Sequence, residues 1–150
     1  MSSLKNKKII ISAGASGIGW ATAKVCLDKG ATVFICDIDE KYLAKSKRHK
    51  LNNKKLFIYK CDASNEIEVQ ELFNKINKKT KKIDCLINNV GIAGPTGTIE
   101  KLSSSDWERT LKVLRWIMQK YVIWRSLLLS VGSHDQLFRG FFMTQTVFEG

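Results

Sequence analysis

The sequence predicts an α/β fold in three layers, built on a doubly wound parallel sheet that is incomplete at about four to five strands. Apolar, β-rich runs recur at residues 8–12, 32–36, 56–60 and 83–88, and helical patterns separate them. The runs are nearly continuous in apolar residues, which is typical of strands that are buried on both faces. A glycine-rich turn follows the first run directly. Right-handed crossovers between such strands predict an open twisted sheet.

The helices are predicted from their ends. The first is expected to span residues 18–29, because it begins after the glycine turn and Gly30 follows it. Ser64 is predicted to cap the helix before the fourth strand. Acidic residues follow it where the helix dipole is positive: Glu66, Glu68 and Glu71.

The formal net charge of +11 suggests an anionic partner such as nucleic acid or a membrane surface. The lysines, however, concentrate in residues 45–55 and 75–82, each of which covers the end of a predicted helix and the loop behind it. Cations there complement the negative end of a helix dipole, so we interpret both clusters as solvated surface. No aromatic residues interleave with them, and no nucleic-acid-binding motif is present. We therefore expect no nucleic-acid partner.

The cysteines and histidines do not indicate a metal site. The four cysteines lack Cys-x-x-Cys spacing: Cys26, Cys36, Cys61 and Cys85. Most of them lie in apolar runs, where a small buried thiol is expected.

The N-terminal apolar run is too short for a signal-peptide core, and no transmembrane segment is predicted. We expect a cytoplasmic protein.

The first strand-to-helix turn carries the candidate chemistry. It holds glycines at Gly14, Gly17 and Gly19, between a predicted strand and a predicted helix. Glycines let the backbone approach a pyrophosphate closely, and the amides at a helix start favour its negative charge. The turn therefore predicts a dinucleotide site of the Rossmann type.

An acidic residue adds a second feature to this site. Asp37 ends the second strand, twenty residues beyond Gly17. A carboxylate there can accept hydrogen bonds from an adenosine ribose, and it would repel a 2′-phosphate. The order of strand, loop, helix, strand and acid therefore predicts binding of NAD rather than NADP. The alternative interpretation is a tight turn together with an Asp that caps a helix.

At these residues the chain resembles the short-chain dehydrogenase/reductase family. The family's Thr-Gly-x-x-x-Gly-x-Gly motif aligns with residues 12–19, so that its last two glycines match Gly17 and Gly19. Its first glycine falls on Ala13, and Gly14 beside it is expected to restore the lost backbone freedom.

Two later motifs extend the resemblance over residues 7–113. Cys-Asp-Ala-Ser at residues 61–64 resembles the family's strand-end Asp motif, which contacts adenine, and Asn-Asn-Val-Gly at residues 88–91 resembles its Asn-Asn-Ala-Gly. The resemblance implies a set of cofactor-binding residues along the chain: Ser12, Gly14, Ser16, Gly17, Ile18, Gly19, Asp37, Ile38, Asp62, Ala63, Asn89, Val90 and Gly91.

The resemblance stops at Val113. In the family this helix continues with an Asn of the catalytic set, whereas Leu114 stands here. We therefore divide the chain into a Rossmann NAD(P)-binding region, residues 1–113, and an anomalous C-terminal segment, residues 114–150, which is not a separate domain.

The anomalous segment has several interpretations. Residues 137–145 resemble the family's expected continuation displaced downstream, which suggests that residues 114–136 are inserted or misread. Residues 115–125 could form a basic amphipathic helix for a membrane surface or a partner. The alternative is a helix that covers one face of the sheet, or sticky and poorly ordered sequence.

The resemblance also implies a catalytic Tyr with a Lys four residues later and a Ser that polarises the carbonyl group. No tyrosine of this chain has that Lys: Ser46, Ala63 and Arg125 stand four residues after Tyr42, Tyr59 and Tyr121. Ser130 and Ser133 follow an apolar run as the family's serine does, but no Tyr follows them. We expect no catalytic residue in this chain.

Two functions remain open. The first is an oxidoreductase of short-chain dehydrogenase/reductase type, which transfers hydride between nicotinamide and a small alcohol or ketone, with this chain binding the cofactor but catalytically incomplete. The second is a non-catalytic dinucleotide-binding or interaction module. The family forms homo-oligomers, and the helix pair that joins them would be incomplete here.

Overall fold

The computed structural model describes residues 3–48, 54–91, 103–105, 107–108 and 111. Its elements in chain order are β1 (Lys8–Ser12), α1 (Gly17–Asp28), β2 (Thr32–Asp37), α2 (Glu40–Arg48), β3 (Leu56–Lys60), α3 (Glu66–Asn77) and β4 (Cys85–Ile87). The predicted alternation of strands and helices is confirmed. The fourth strand is shorter than predicted at both ends, and beyond its C-terminal end the Asn89 amide donates to Ser12 Oγ (3.0 Å) and does not continue the ladder.

The strands form one parallel sheet in the order β3-β2-β1-β4. From β1 the chain steps outward to β2 and β3, and it then returns past β1 to place β4 on the other side. Right-handed crossovers in opposite directions put their helices on opposite faces of the sheet, so α3 covers the face that α1 and α2 leave open. The predicted doubly wound, Rossmann-type sheet is confirmed, with four strands in the described part of the chain.

The core lies between the sheet and its helices. Ile9, Ile11, Val33 and Ile35 project from one face and pack in one cluster with side chains of α1 and α2. Phe34 alternates with them and is 1% exposed. Both faces of the central strands are therefore covered, as the continuous apolar runs predicted.

The start of α3 differs from the prediction. Its N-cap is Asn65, whose side-chain oxygen accepts hydrogen bonds from the amides of Ile67 and Glu68. The Ser64 hydroxyl instead donates to Asp62 Oδ1 (2.8 Å). Ser64 was thus the wrong capping residue, because its hydroxyl closes the turn that precedes the helix. The acidic first turn is as predicted.

The chain divides into two compact units, the first of which contains residues 1–89, whereas Val90 belongs to the second. The predicted boundary at residue 113 stays a prediction, because residues 112–150 lie outside the described residues. The predictions for residues 114–136, 115–125 and 137–145 lie there too. Among the described residues, no helix combines the length and apolar character needed to cross a membrane.

Candidate dinucleotide-binding site

The candidate site lies at the carboxyl edge of the sheet, where β1 separates β2 from β4. Strand order reverses at this point, which leaves a crevice between the loops after β1 and β4. Ser12, Asp37 and Ile87 are the last residues of these three strands. The sequence-predicted site residues therefore start from one edge of the sheet.

The loop after β1 contains two residues with left-handed backbone. Gly17 has φ of 50°, and Ala13 has φ of 47°. The expectation that Gly14 restores the missing freedom is wrong, because Ala13 itself adopts the conformation that favours glycine. Gly14 is needed for space, since a Cβ there would lie 2.8 Å from Ile35 Cβ. Ala13 therefore holds a strain of about 1 kcal/mol that the family's glycine avoids.

Gly19 lets α1 pack directly on the neighbouring loops. A Cβ at this position would collide with Ala13 O and would lie 2.6 Å from Asn89 Nδ2. This is the close helix–strand contact that the last glycine of a dinucleotide-binding loop permits. It brings the start of α1 within reach of both strands that border the crevice.

Ser12 and Asn89 join the loops on the two sides of the crevice. Ser12 Oγ accepts from the Asn89 amide (3.0 Å) and donates to Ile87 O (3.4 Å). Asn89 Nδ2 donates to Ala13 O (3.0 Å). Both residues were predicted for the site, and the structure places them as supports of the loop. Their side chains hold the backbone that a pyrophosphate would meet.

The start of α1 offers backbone donors. Ser16 precedes the helix in an extended conformation, and its side chain makes no capping hydrogen bond. Within the described residues, the amides of Gly17, Ile18 and Gly19 have no hydrogen-bond acceptor. These donors and the positive end of the helix dipole suit an anionic group.

Asp37 is 8% exposed, and two backbone amides hold its carboxylate. Oδ2 accepts from the Ala15 amide (3.1 Å), and Oδ1 accepts from the Asp39 amide (3.1 Å). Each carboxylate oxygen has a second lone pair, so both can accept from a ribose hydroxyl. The helix cap is supplied by Asp39, whose Oδ1 accepts from the Lys41 and Tyr42 amides. The alternative role of Asp37 as a helix cap is therefore wrong.

Asp62 follows β3 at the same edge of the sheet and is half-buried. Its Oδ1 accepts from the amide and the hydroxyl of Ser64 (both 2.8 Å), and its own amide donates to Glu68 Oε2 (2.8 Å). Oδ2 carries no hydrogen bond within the described residues and is open to a donor. Ala63 beside it is half-buried.

Apolar side chains are exposed at this edge. Ile18 is 45% exposed and Ile38 is 60% exposed. Both side chains are available for contact with a ligand at the carboxyl edge. Val90 is half-buried and Gly91 is exposed.

The buried Cys36 thiol beside the site is unreactive. A hydrogen bond with the Cys61 side chain, together with burial, raises the pKa of the Cys36 thiol well above its ordinary value. The thiol therefore stays protonated at neutral pH and is a poor nucleophile.

Two residues that the sequence did not single out belong to the site. Ala15 donates its amide to Asp37, and its carbonyl oxygen accepts from Ser46 Oγ (3.1 Å). Ser46 is 2% exposed and lies three residues after Leu43, the other buried residue of α2. A hydroxyl on the apolar face of a helix was the signal that could have identified Ser46.

Residues 7–114 match the family model described as short chain dehydrogenase. The chain belongs to this family. It is 36% identical over 110 residues to short-chain dehydrogenase reductase 5 of Arabidopsis thaliana, an alignment that covers 73% of this chain and 42% of the relative. The chain thus spans about two fifths of that relative's length.

Solved structures of the family share the fold. A short chain dehydrogenase/reductase from Burkholderia phymatum in complex with NAD has a TM-score of 0.70 at 26% identity, covering 79% of this chain and 42% of that one. The 3-ketoacyl-(acyl-carrier-protein) reductase from Brucella melitensis, complexed with NADH, has a TM-score of 0.71 at 26% identity, covering 83% and 50%. The predicted family and its NAD(P)-binding Rossmann fold are confirmed.

Proposed function

We propose that the carboxyl edge of the sheet binds NAD in preference to NADP. The observation that carries the proposal is the Asp37 carboxylate, which is buried, fixed by two backbone amides, and left with one accepting lone pair on each oxygen. Two ribose hydroxyls match that pair of acceptors. A 2′-phosphate would bring negative charge against it at a site where burial weakens screening by solvent.

The other parts of the cofactor fit features of the same edge. The pyrophosphate would lie on the amides of Gly17, Ile18 and Gly19, at the positive end of the α1 dipole. Asp62 Oδ2 is an acceptor for the adenine amino group. Ile38 offers an apolar surface to the adenine ring. The NAD and NADH complexes of the two similar structures support this assignment.

The proposed reaction is that of an oxidoreductase acting on a small alcohol or ketone. Bound NAD would supply the hydride acceptor, and the protein would supply position and proton transfer. This chain supplies the loop and the carboxylate that orient the cofactor. Its sequence contains no Tyr with a Lys four residues later, so we expect it to bind the dinucleotide without turning it over. The same observation keeps a non-catalytic dinucleotide-binding module as the second candidate.

The proposal includes a cytoplasmic location, because the four cysteines are all free thiols and three of them are buried. Residues 3–48 and 54–91 contain all four of them. Homo-oligomer formation and the absence of a nucleic-acid partner stay predictions.

A thermal melt tests cofactor binding. A ligand that binds only the folded state raises the melting temperature, by an amount that grows with its concentration relative to Kd. Millimolar NADH should raise the melting temperature more than equimolar NADPH does. Equal shifts would refute the preference for NAD, and a cooperative melt that neither nucleotide moves would refute the site. Oxidation of simple alcohols with NAD by this chain would contradict the predicted lack of turnover.

A further inference from the structure

We propose that Ser46 is a positioning residue of the adenosine end of the site, which fixes the Asp37 carboxylate by holding the backbone of Ala15. The inference rests on the proposed binding of NAD. It starts from a hydroxyl in an unusual place: α2 is otherwise rich in exposed charged residues, and Ser46 is 2% exposed on its buried face.

The contact is a hydrogen bond between two elements that are distant in sequence. Ser46 Oγ donates to Ala15 O (3.1 Å), and both residues are buried. An alanine at this position would lack a donor, so the Ala15 carbonyl oxygen would lose its hydrogen bond. A buried carbonyl without a donor is unfavourable, so removing the hydroxyl favours a rotation of the backbone at Ala15 that turns its carbonyl toward another donor.

Ala15 also contacts Asp37, and this contact connects Ser46 to the carboxylate. The Ala15 amide donates to Asp37 Oδ2 (3.1 Å), so residue 15 is held at its carbonyl by α2 and at its amide by the end of β2. Turning the loop at Ala15 therefore displaces the donor that orients the carboxylate. The carboxylate is then held only by the Asp39 amide on Oδ1, and it can rotate about that hydrogen bond. The Ser46 hydroxyl thereby favours the geometry in which both carboxylate oxygens can meet a ribose.

The two nucleotides should respond differently to this loss. NADH uses the hydrogen bonds of Asp37 to the ribose, whereas NADPH carries a phosphate there and gains nothing from a well-placed carboxylate. In Ser46→Ala we expect Kd for NADH to rise about fivefold and Kd for NADPH to change less than twofold. A general weakening of the fold would raise both constants equally.

Thr80 offers a matched control. Its hydroxyl is also buried and donates to a backbone carbonyl, Lys82 O (2.9 Å), but it lies in the loop before β4, at the opposite edge of the sheet. The Thr80 hydroxyl also accepts from the Lys82 amide (3.2 Å), so Thr80→Val should lower the melting temperature at least as much as Ser46→Ala, and it should leave both nucleotide constants unchanged.

The deciding experiment is a double-mutant cycle measured by calorimetric titration of NADH into the wild-type chain, Ser46→Ala, Asp37→Asn and the double variant. If Ser46 acts through Asp37, its fivefold effect should fall below twofold in the Asp37→Asn background. Should Ser46→Ala not fold, Ser46→Cys keeps the size and a weak donor, and should show a smaller shift of the same sign.

The outcomes separate the two proposals. Full additivity in the cycle, or an unchanged Kd for NADH in a folded Ser46 variant, would overturn the role of Ser46 while leaving NAD binding intact. Failure of the wild-type chain to bind NADH would overturn the proposed function, and the role of Ser46 with it.

Discussion

The two edges of the sheet are built from the same strands but differ in charge and in how their polar groups are held. At the carboxyl edge, Asp37 and Ser12 are buried and hydrogen-bonded across elements. At the amino edge, the charged groups are mostly exposed lysines, such as Lys54 and Lys82. Buried, fixed polar groups make a binding site, whereas exposed cations make a solvated surface, so net charge alone is a poor guide to the partner.

The amino edge collects positive charge because the helices run antiparallel to the strands. The ends of α1, α2 and α3 lie there, and the last turn of α2 carries Lys45, Lys47 and Arg48. The carbonyl groups at those ends carry partial negative charge, which the lysines offset. At the same edge, Asp84 accepts from Lys7 Nζ (3.4 Å).

The largest expected effect is at Gly19, where the carboxyl edge has no room. Gly19→Ala would place a methyl group against Ala13 O and Asn89 Nδ2, so we expect a loss of stability of about 1 to 3 kcal/mol and no measurable NADH binding. Urea unfolding and NADH titration measure the two effects. Gly17→Ala is the control, because a Cβ there meets nothing within 4 Å and the cost is only backbone strain of about 1 kcal/mol. An equal loss of stability in Gly17→Ala and Gly19→Ala would contradict the argument that close packing requires glycine at position 19.

The second-largest effect is expected at Asp37, on the affinity for the nucleotides. Asp37→Asn keeps the shape of the side chain but removes its charge, so NADH affinity should fall about tenfold and NADPH should no longer be disfavoured. The control is Asp39→Asn, which changes the cap of α2 but should leave the ratio of the two affinities unchanged. An unaltered ratio in Asp37→Asn would mean that another group selects the nucleotide.

At the amino edge the largest response should be to pH, through Asp84. Burial alone would raise its pKa, but the Lys8 amide and the charges of Lys7 and Lys82 outweigh burial, so its pKa lies below the ordinary 3.8. Stabilisation by Asp84 is therefore complete above that ordinary value and is lost as pH falls through the lower pKa of the folded state.

Asp84→Asn should lose about 1 kcal/mol at pH 7, and the difference from the wild-type chain should shrink on acidification below pH 4. Urea midpoints at several pH values measure it. A difference that stays constant with pH would show that the charge of Asp84 is not involved.

A stabilising change is expected at Ala13. Ala13→Gly removes the left-handed strain of about 1 kcal/mol at φ of 47°, and the greater freedom of glycine in the unfolded chain offsets about half of it, so stability should rise by about 0.5 kcal/mol. The melting temperature should rise by a few degrees. Gly14→Ala is the opposing control, since it adds a clash with Ile35. A lower melting temperature in Ala13→Gly would mean that the strain is absent.

The smallest effect is expected from the lysines of the amino edge. A combined change of Lys54, Lys78 and Lys81 to Gln removes exposed charges, so stability should change by less than about 0.5 kcal/mol. NADH affinity at physiological salt should change less than twofold, because screening limits their reach. A tenfold loss of affinity would place the anionic ligand at the amino edge.

The difference between the two edges also explains what the sequence could predict. Residues 12–19 and Asp37 were found because loop, strand end and glycine spacing are local features of the chain. Ser46 and Ala15 were not found, because their hydrogen bond joins elements that only the folded chain brings together. The left-handed conformation of Ala13 was misplaced onto Gly14 for a similar reason. Glycine is the residue expected in a left-handed conformation, but Gly14 is needed for its close packing against Ile35, and Ala13 adopts the left-handed conformation instead.

The most direct test of the account is to map NADH binding onto the two edges by amide chemical shifts of the isotopically labelled chain. We expect the largest changes at Gly17, Ile18, Ile38 and Ala63, with no change at Lys55 or Lys82. Changes that concentrate at the lysines of the amino edge, or no changes at millimolar NADH, would contradict the assignment of the dinucleotide to the carboxyl edge.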